Sequence, residues 1–119
     1  MKQILIVEDY REAAETFKEL LEILGHEVRC ALSGAEAEKM ISQAEFDLVF
    51  MDLNLPDISG IELASRLKQK LGSDSGTRFA AVSGFSSMDS QGARAQEQFD
   101  FYLEKPIDLV SLDRLLASI

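Results

Sequence analysis

The chain is short of the residues that make disulfides and soft-metal sites. It has one cysteine and one histidine in 119 residues. A lone Cys30 cannot close an internal disulfide, and no cluster of imidazole and thiolate groups offers a zinc site. Cys30 ends a strand segment and reads as a small buried apolar residue, and the scarcity of cysteine fits a cytoplasmic location. Positive charge is scarce too. Twelve Lys and Arg stand against 21 Asp and Glu, a formal net charge of −9. The basic residues form no cluster, so nucleic acid and anionic membrane surfaces are both disfavoured as direct partners. No apolar run reaches the roughly 20 residues of a membrane span. A strand pattern starts almost at the first residue, which argues against a signal peptide. Internal repeats and low-complexity segments are missing as well.

What is present is an alternation of strand and helix patterns from end to end. With 46% hydrophobic residues, a chain of this length can bury the core of one domain, residues 1–119. Residues 3–7 make the first strand, an unbroken apolar run of the kind that a parallel sheet buries on both faces. A helix from about residue 10 to residue 24 follows, with Ala13, Phe17, Leu20, Leu21 and Leu24 on its apolar face and Gly25 as its stop. Glu27 to Ala31 is the second strand. Ser33-Gly34-Ala35-Glu36 is a capping box that opens a second helix, whose buried face is Ala37, Met40, Ile41 and Ala44. Asp47 to Met51 is the third strand. A second capping box, Ser59-Gly60-Ile61-Glu62, opens the third helix, continued by Leu63, Leu67 and Leu71. Residues 72–76 are a surface connection of turn composition, and Phe79 to Val82 is the fourth strand. The fourth helix, near residues 88–97, is polar and contains Gly92, which costs roughly 1 kcal/mol in a helix interior. Phe101 to Leu103 is the fifth strand. Asp108 caps the last helix, which turns Leu109, Leu112, Leu116 and Ile119 to the core. Five strand-helix units predict a parallel sheet with helices on both faces.

Chemistry-bearing residues collect where these strands end. Glu8 and Asp9 follow the first strand, Asp52 the third, Ser83 the fourth and Lys105 the fifth. Strand ends of an open α/β sheet are where ligands bind. Neighbouring carboxylates repel. Two unit charges at 4 Å cost about 4 kcal/mol at an effective dielectric of 20, a large share of the roughly 5–15 kcal/mol that stabilises a domain. Relief comes from a raised carboxyl pKa, from Lys105 among the acids, or from a divalent cation. A hard cation with few carboxylate ligands and retained waters suits Mg²⁺ better than Ca²⁺. Asp52 is then the candidate nucleophile toward phosphorus. Lys105 would neutralise one phosphoryl oxygen, Ser83 would donate a hydrogen bond to another, and Gly84 would leave the approach open and offer its backbone N–H. Each residue has a plainer reading. Asp9 with Glu12 can cap a helix, Ser83-Gly84 can be a turn, Lys105 a solvated charge and Tyr102 a packing aromatic. His26 follows Gly25 in a turn and reads as a surface residue. The constellation, more than any member, carries the chemistry.

Four segments in order resemble the receiver domain of two-component response regulators: Ile4-Leu5-Ile6-Val7-Glu8-Asp9, Met51-Asp52-Leu53-Asn54-Leu55-Pro56 with Gly60, Ala81-Val82-Ser83-Gly84, and Tyr102-Leu103-Glu104-Lys105-Pro106. The resemblance implies a flavodoxin-like (βα)5 sandwich with strand order 2-1-3-4-5. It implies that Asp52 accepts a phosphoryl group from a phosphohistidine of a sensor histidine kinase or histidine phosphotransfer protein. Asp9 and Asp52 would ligate Mg²⁺ with the Asn54 backbone carbonyl, and Glu8 would act partly through water. Ser83 and Tyr102 would form the switch, altering the face of the fourth helix, fifth strand and fifth helix for an output partner that the sequence does not name. Glu8 stands where Asp is commoner, and Ser83 where Thr is frequent. Two other functions remain open: a small Mg²⁺-dependent phosphatase of the aspartyl-phosphate type, and a pseudo-receiver scaffold that works without phosphate. The phosphatase reading wants a second acid where Asn54 stands. The chain is expected to promote only its own phosphorylation and dephosphorylation, as a stand-alone receiver or as one module of a larger regulator or hybrid kinase.

Overall fold

Five parallel strands form one sheet in the order β2-β1-β3-β4-β5. The structure, a computed structural model, describes residues 1–83 and 99–119. The strands are β1 (Gln3–Val7), β2 (Glu27–Ala31), β3 (Leu48–Asp52), β4 (Arg78–Ser83) and β5 (Phe101–Glu104). Four helices lie among the described residues: α1 (Arg11–Ile23), α2 (Gly34–Gln43), α3 (Gly60–Leu71) and α4 (Leu109–Ala117), the last of the chain. The polar helix expected near residues 88–97 lies outside the described residues, as does Gly84.

Alternation along the strands sorts the core into two layers. Leu5, Val7, Val49, Met51, Phe79 and Ala81 pack with Ala37 and Ile41 of α2 and with Ile61, Leu63 and Leu67 of α3. Ile4, Ile6, Phe50, Ala80 and Val82 pack with Leu21 of α1 and with Leu112, Leu115 and Leu116 of α4. Phe17 of α1 meets Phe50 edge to face at 4.8 Å. Helices therefore cover both faces, which is why the strands read as continuous apolar runs.

The helix ends follow the local sequence. Ser33 accepts the Glu36 N–H at 3.2 Å, and the Glu36 carboxylate reaches back to the Leu32 N–H at 3.2 Å. Ser59 accepts the Glu62 N–H at 3.1 Å, and Asp108 accepts the Ser111 N–H at 2.8 Å. After α1, Gly25 takes φ 96°. That left-handed turn lets Gly25 donate to Glu22 and His26 donate to Leu21, a Schellman motif. Three expectations change in detail. Leu109 is 53% exposed, because the first side chain of a helix leans past its N-terminus and not down onto the sheet. Cys30 is only half-buried, its thiol 3.6 Å from the Ala14 carbonyl. His26 is also half-buried, and its Nδ1 accepts the Lys2 N–H at 3.1 Å.

Candidate functional site

Register brings the strand-end residues together. Val7 pairs with Met51, so Glu8 and Asp52, one position further on, are lateral neighbours. Asp52 pairs with Val82, and Ser83 pairs with Glu104. The Lys105 N–H donates to the Ser83 carbonyl at 2.9 Å. Glu8 is tied to the neighbouring strand as well, its N–H donating to the Ala31 carbonyl at 3.0 Å. Four strands thus end on one line and deliver Glu8, Asp52, Ser83 and Lys105 to it.

The three acids converge. Glu8, Asp9 and Asp52 offer carboxylate oxygens that all lie within 4.8 Å of one another. Glu8 and Asp52 are buried, while Asp9 is exposed. Asp9 is not the cap of α1: Tyr10 holds that position, and no side chain caps there. The Lys105 ammonium sits between the two buried acids, 3.2 Å from Glu8 Oε1 and 3.4 Å from Asp52 Oδ2. Asp52 Oδ1 accepts the Asn54 N–H at 3.0 Å.

Charge in this pocket is only partly balanced. Glu8 Oε2 is buried with no hydrogen-bond partner among the described residues. As carboxylates, Glu8 and Asp52 present acceptor to acceptor, and a proton kept on Glu8 turns that repulsion into a hydrogen bond. Burial, then the neighbouring Asp52, push the Glu8 carboxyl up to about 7 against the opposing pull of Lys105. Burial pushes Asp52 up as well, but the proton on Glu8, the Asn54 N–H and Lys105 outweigh it and leave Asp52 below its ordinary value. Burial lowers the Lys105 ammonium, but Asp52 and Glu8 more than compensate and leave it raised. A buried acceptor without a donor, beside two further carboxylates, fits a hard cation with oxygen ligands.

Two hydroxyls complete the region. Ser83 is 0% exposed, and its Oγ has no hydrogen-bond partner among the described residues. The Tyr102 ring leans on the core layer under α2 and α3 and meets Phe99 edge to face at 6.4 Å. Its hydroxyl is likewise buried and unpartnered among the described residues, and burial raises its pKa. An apolar cleft of 470 Å³ opens beside the charged residues, on the sheet face that α1 covers. Tyr10, Ala13 and Phe17 form one wall, Phe50 the floor, and Pro106 and Ile107 the other wall, with Glu8, Asp52 and Lys105 at the inner end.

Two more residues shape this site: Gly60, which the sequence marks by its capping box and segment but not by its packing, and Asp57, which sequence reasoning passed over. At Gly60 a Cβ would lie 2.5 Å from the Asp52 carbonyl and 2.7 Å from Leu53 Cα. Only glycine lets the start of α3 pack that close to the end of β3. The second is Asp57, whose carboxylate accepts the N–H groups of Gly34 at 3.1 Å and Ala35 at 3.3 Å. Its composition signal was that of an ordinary turn residue.

Comparison with known proteins agrees with this geometry. The family model of the response regulator receiver domain matches residues 4–117. The chain is similar to a CheY-like response regulator receiver domain from Methylobacillus flagellatus, with 51% identity and a TM-score of 0.90 over 99% of this chain and 98% of that one. It is also similar to the response regulator protein TrrA from Thermotoga maritima, solved in complex with Mg²⁺-BeF, at 29% identity and a TM-score of 0.85 over 99% and 98% of the two chains. The transcriptional regulatory protein CrdR of Helicobacter pylori is 32% identical over 116 residues, which cover 94% of this chain and 52% of that protein. This chain therefore spans about half the length of that relative. Sequence match and sheet order lead to one assignment: the chain belongs to the response regulator receiver domain family.

Proposed function

We propose that residues 1–119 work as one phospho-accepting switch of a two-component or phosphorelay system, with Asp52 as the acceptor. The observation that carries this is the setting of Asp52. Its carboxylate closes β3, held by the Asn54 N–H and Lys105 and flanked by Glu8 and Asp9. An Asp52 oxygen attacks the phosphorus of a phosphohistidine on a sensor kinase or phosphotransfer protein. The new P–O bond forms as the P–N bond breaks, and the imidazole leaves with the electron pair and takes up a proton. Lys105 faces the growing negative charge as a point charge. The Ser83 hydroxyl, unpartnered among the described residues, donates to a phosphoryl oxygen, and the Asn54 backbone frames the acceptor. The largely apolar cleft, with Tyr10, Ala13, Phe17, Pro106 and Ile107 in its lining, gives a donor protein access beside Asp52.

Mg²⁺ is the cation that the donor set suits. Glu8, Asp9, Asp52 and the Asn54 carbonyl would hold it, and when bound it neutralises charge on the transferred group. The likeness to TrrA, solved with Mg²⁺-BeF, supports this reading. Ser83 and Tyr102 form the switch that alters the face containing β5 and α4 for an output partner. The chain promotes its own phosphorylation and dephosphorylation and turns over no other substrate. A cytoplasmic setting follows from the kinase partner. The phosphatase alternative gains no support, since the Asn54 amide two residues after Asp52 cannot serve as a general acid.

Incubation with acetyl phosphate and Mg²⁺, followed by mass spectrometry, tests the assignment. One added phosphoryl group mapping to Asp52, and none in Asp52→Asn, is the expected result. Unlabelled wild-type protein, or label on another residue, overturns it.

A further inference from the structure

The loop between β3 and α3 is an arch with a fixed base. Asn54 and Ser59 form an isolated antiparallel bridge, and the Gly60 N–H donates to the Leu53 carbonyl at 3.0 Å. The tip of the arch, residues 55–58, reaches across to α2. There the two oxygens of Asp57 each accept one of the first two helical N–H groups, Gly34 at 3.1 Å and Ala35 at 3.3 Å. Ser33 takes the third, that of Glu36. The first turn of α2 thus depends on a residue of another element for two of its orphan donors. Packing closes the same contact. A Cβ on Gly34 would lie 2.5 Å from Ile58 Cγ2 and 3.2 Å from Asp57 Oδ2. Those N–H groups, Gly34 first, also hold the Asp57 carboxyl below its ordinary value, as expected for a carboxylate at a helix N-terminus.

A helix cap made within one element would affect stability alone. This one spans from α2 to the arch whose base carries the Asp52 site, because Asn54 donates to Asp52 Oδ1 at 3.0 Å. We propose that Asp57 is a positioning residue for the Asp52 site: by latching the 54–58 arch to α2 it fixes the backbone at Asn54 and, through it, the Asp52 carboxylate. The proposal rests on the reading of Asp52 as phospho-acceptor and adds a physical link from that residue to α2. Supporting groups one step removed from a metal site commonly change affinity or activity by about 10-fold or more when removed.

Three variants test the latch, compared at a temperature where each is folded. Asp57→Ala should weaken Mg²⁺ binding and slow labelling by acetyl phosphate, each by about 10-fold. Gly34→Ala should do the same with Asp57 intact, since it forces the contact open from the other side. Asp57→Asn keeps one acceptor oxygen and should recover part of the loss. The backbone amide resonances of Gly34 and Ala35 should shift when wild-type protein is loaded with Mg²⁺ and beryllium fluoride. Wild-type labelling and Mg²⁺ affinity in both Asp57→Ala and Gly34→Ala overturn the proposal. So do Gly34 and Ala35 amides that stay put in the loaded wild type, a readout that needs no variant to fold. If wild-type protein took no phosphoryl group while those amides still moved with Mg²⁺, the acceptor assignment would fall and the latch would stand.

Discussion

The two ends of the sheet treat carboxylates in opposite ways. At the N-terminal edge, Asp47 accepts the Gln3 N–H from the neighbouring strand at 2.8 Å, and Asp100 accepts the Phe79 N–H at 2.9 Å. Each acid stands one residue ahead of its own strand and finishes the ladder of the next one. At the C-terminal edge, Glu8, Asp9 and Asp52 face one another, and one buried Glu8 oxygen has no donor among the described residues. The first arrangement spends its acids on register. The second leaves them underserved, held by Lys105 and by a proton on Glu8. The same residue types therefore serve register at one edge and, on the function proposed above, capture of a cation and an anion at the other, and the difference lies in which groups face them.

Removing Lys105 should break this contrast most sharply. Lys105→Met takes away the ammonium that lies 3.2 Å from Glu8 and 3.4 Å from Asp52. Unfolding of metal-free protein at neutral pH should lose about 1–2 kcal/mol, less than a fully buried pair would because the lysine reaches solvent. Saturating Mg²⁺ should restore most of it by linkage. A denaturation midpoint that is unchanged, or equally low with and without Mg²⁺, would contradict the charge balance.

Proton linkage gives a smaller and graded effect. The Glu8 carboxyl keeps its proton to about 7 in the folded chain, against an ordinary 4.5. Its contribution to stability is fully present below 4.5 and is lost as pH rises through about 7. Asp52 acts in the opposite sense, but only in acid, below its ordinary 3.8. Metal-free stability should therefore decline between those two Glu8 values, and Glu8→Gln should flatten the decline. A urea midpoint series across that range measures both. A wild-type profile that rises there would refute the shared proton.

The smallest effect is expected at the quiet end. Asp100→Ala orphans the Phe79 N–H and should cost about 1 kcal/mol, with Mg²⁺ affinity and labelling rate unchanged. A change in metal binding would show that the two edges are coupled through β4.

Fold and site were legible to different depths. Apolar runs, two capping boxes, the Asp108 cap and the Gly25 stop are local signals, and the elements they mark stand within a residue or two of where they were expected. Glu8, Asp9, Asp52, Ser83 and Lys105 were legible because each lies within two residues of the end of an apolar run. The resemblance of four segments supplied the strand order. Long-range contact was not legible. Nothing in the order of residues says that Asp57 reaches Gly34 and Ala35, or that Asp47 and Asp100 serve other strands, because those bonds depend on which loops the sheet order brings side by side. Leu109 was misplaced for a related reason, since helical periodicity gives the face of a residue but not whether anything lies beneath its end of the helix.

The rung from the Lys105 N–H to the Ser83 carbonyl at 2.9 Å makes a gauge of the two adjoining strand tips. The ladder fixes the spacing of the two backbones, while the flexible lysine stem leaves the ammonium free to follow whatever the rigidly mounted, buried hydroxyl meets.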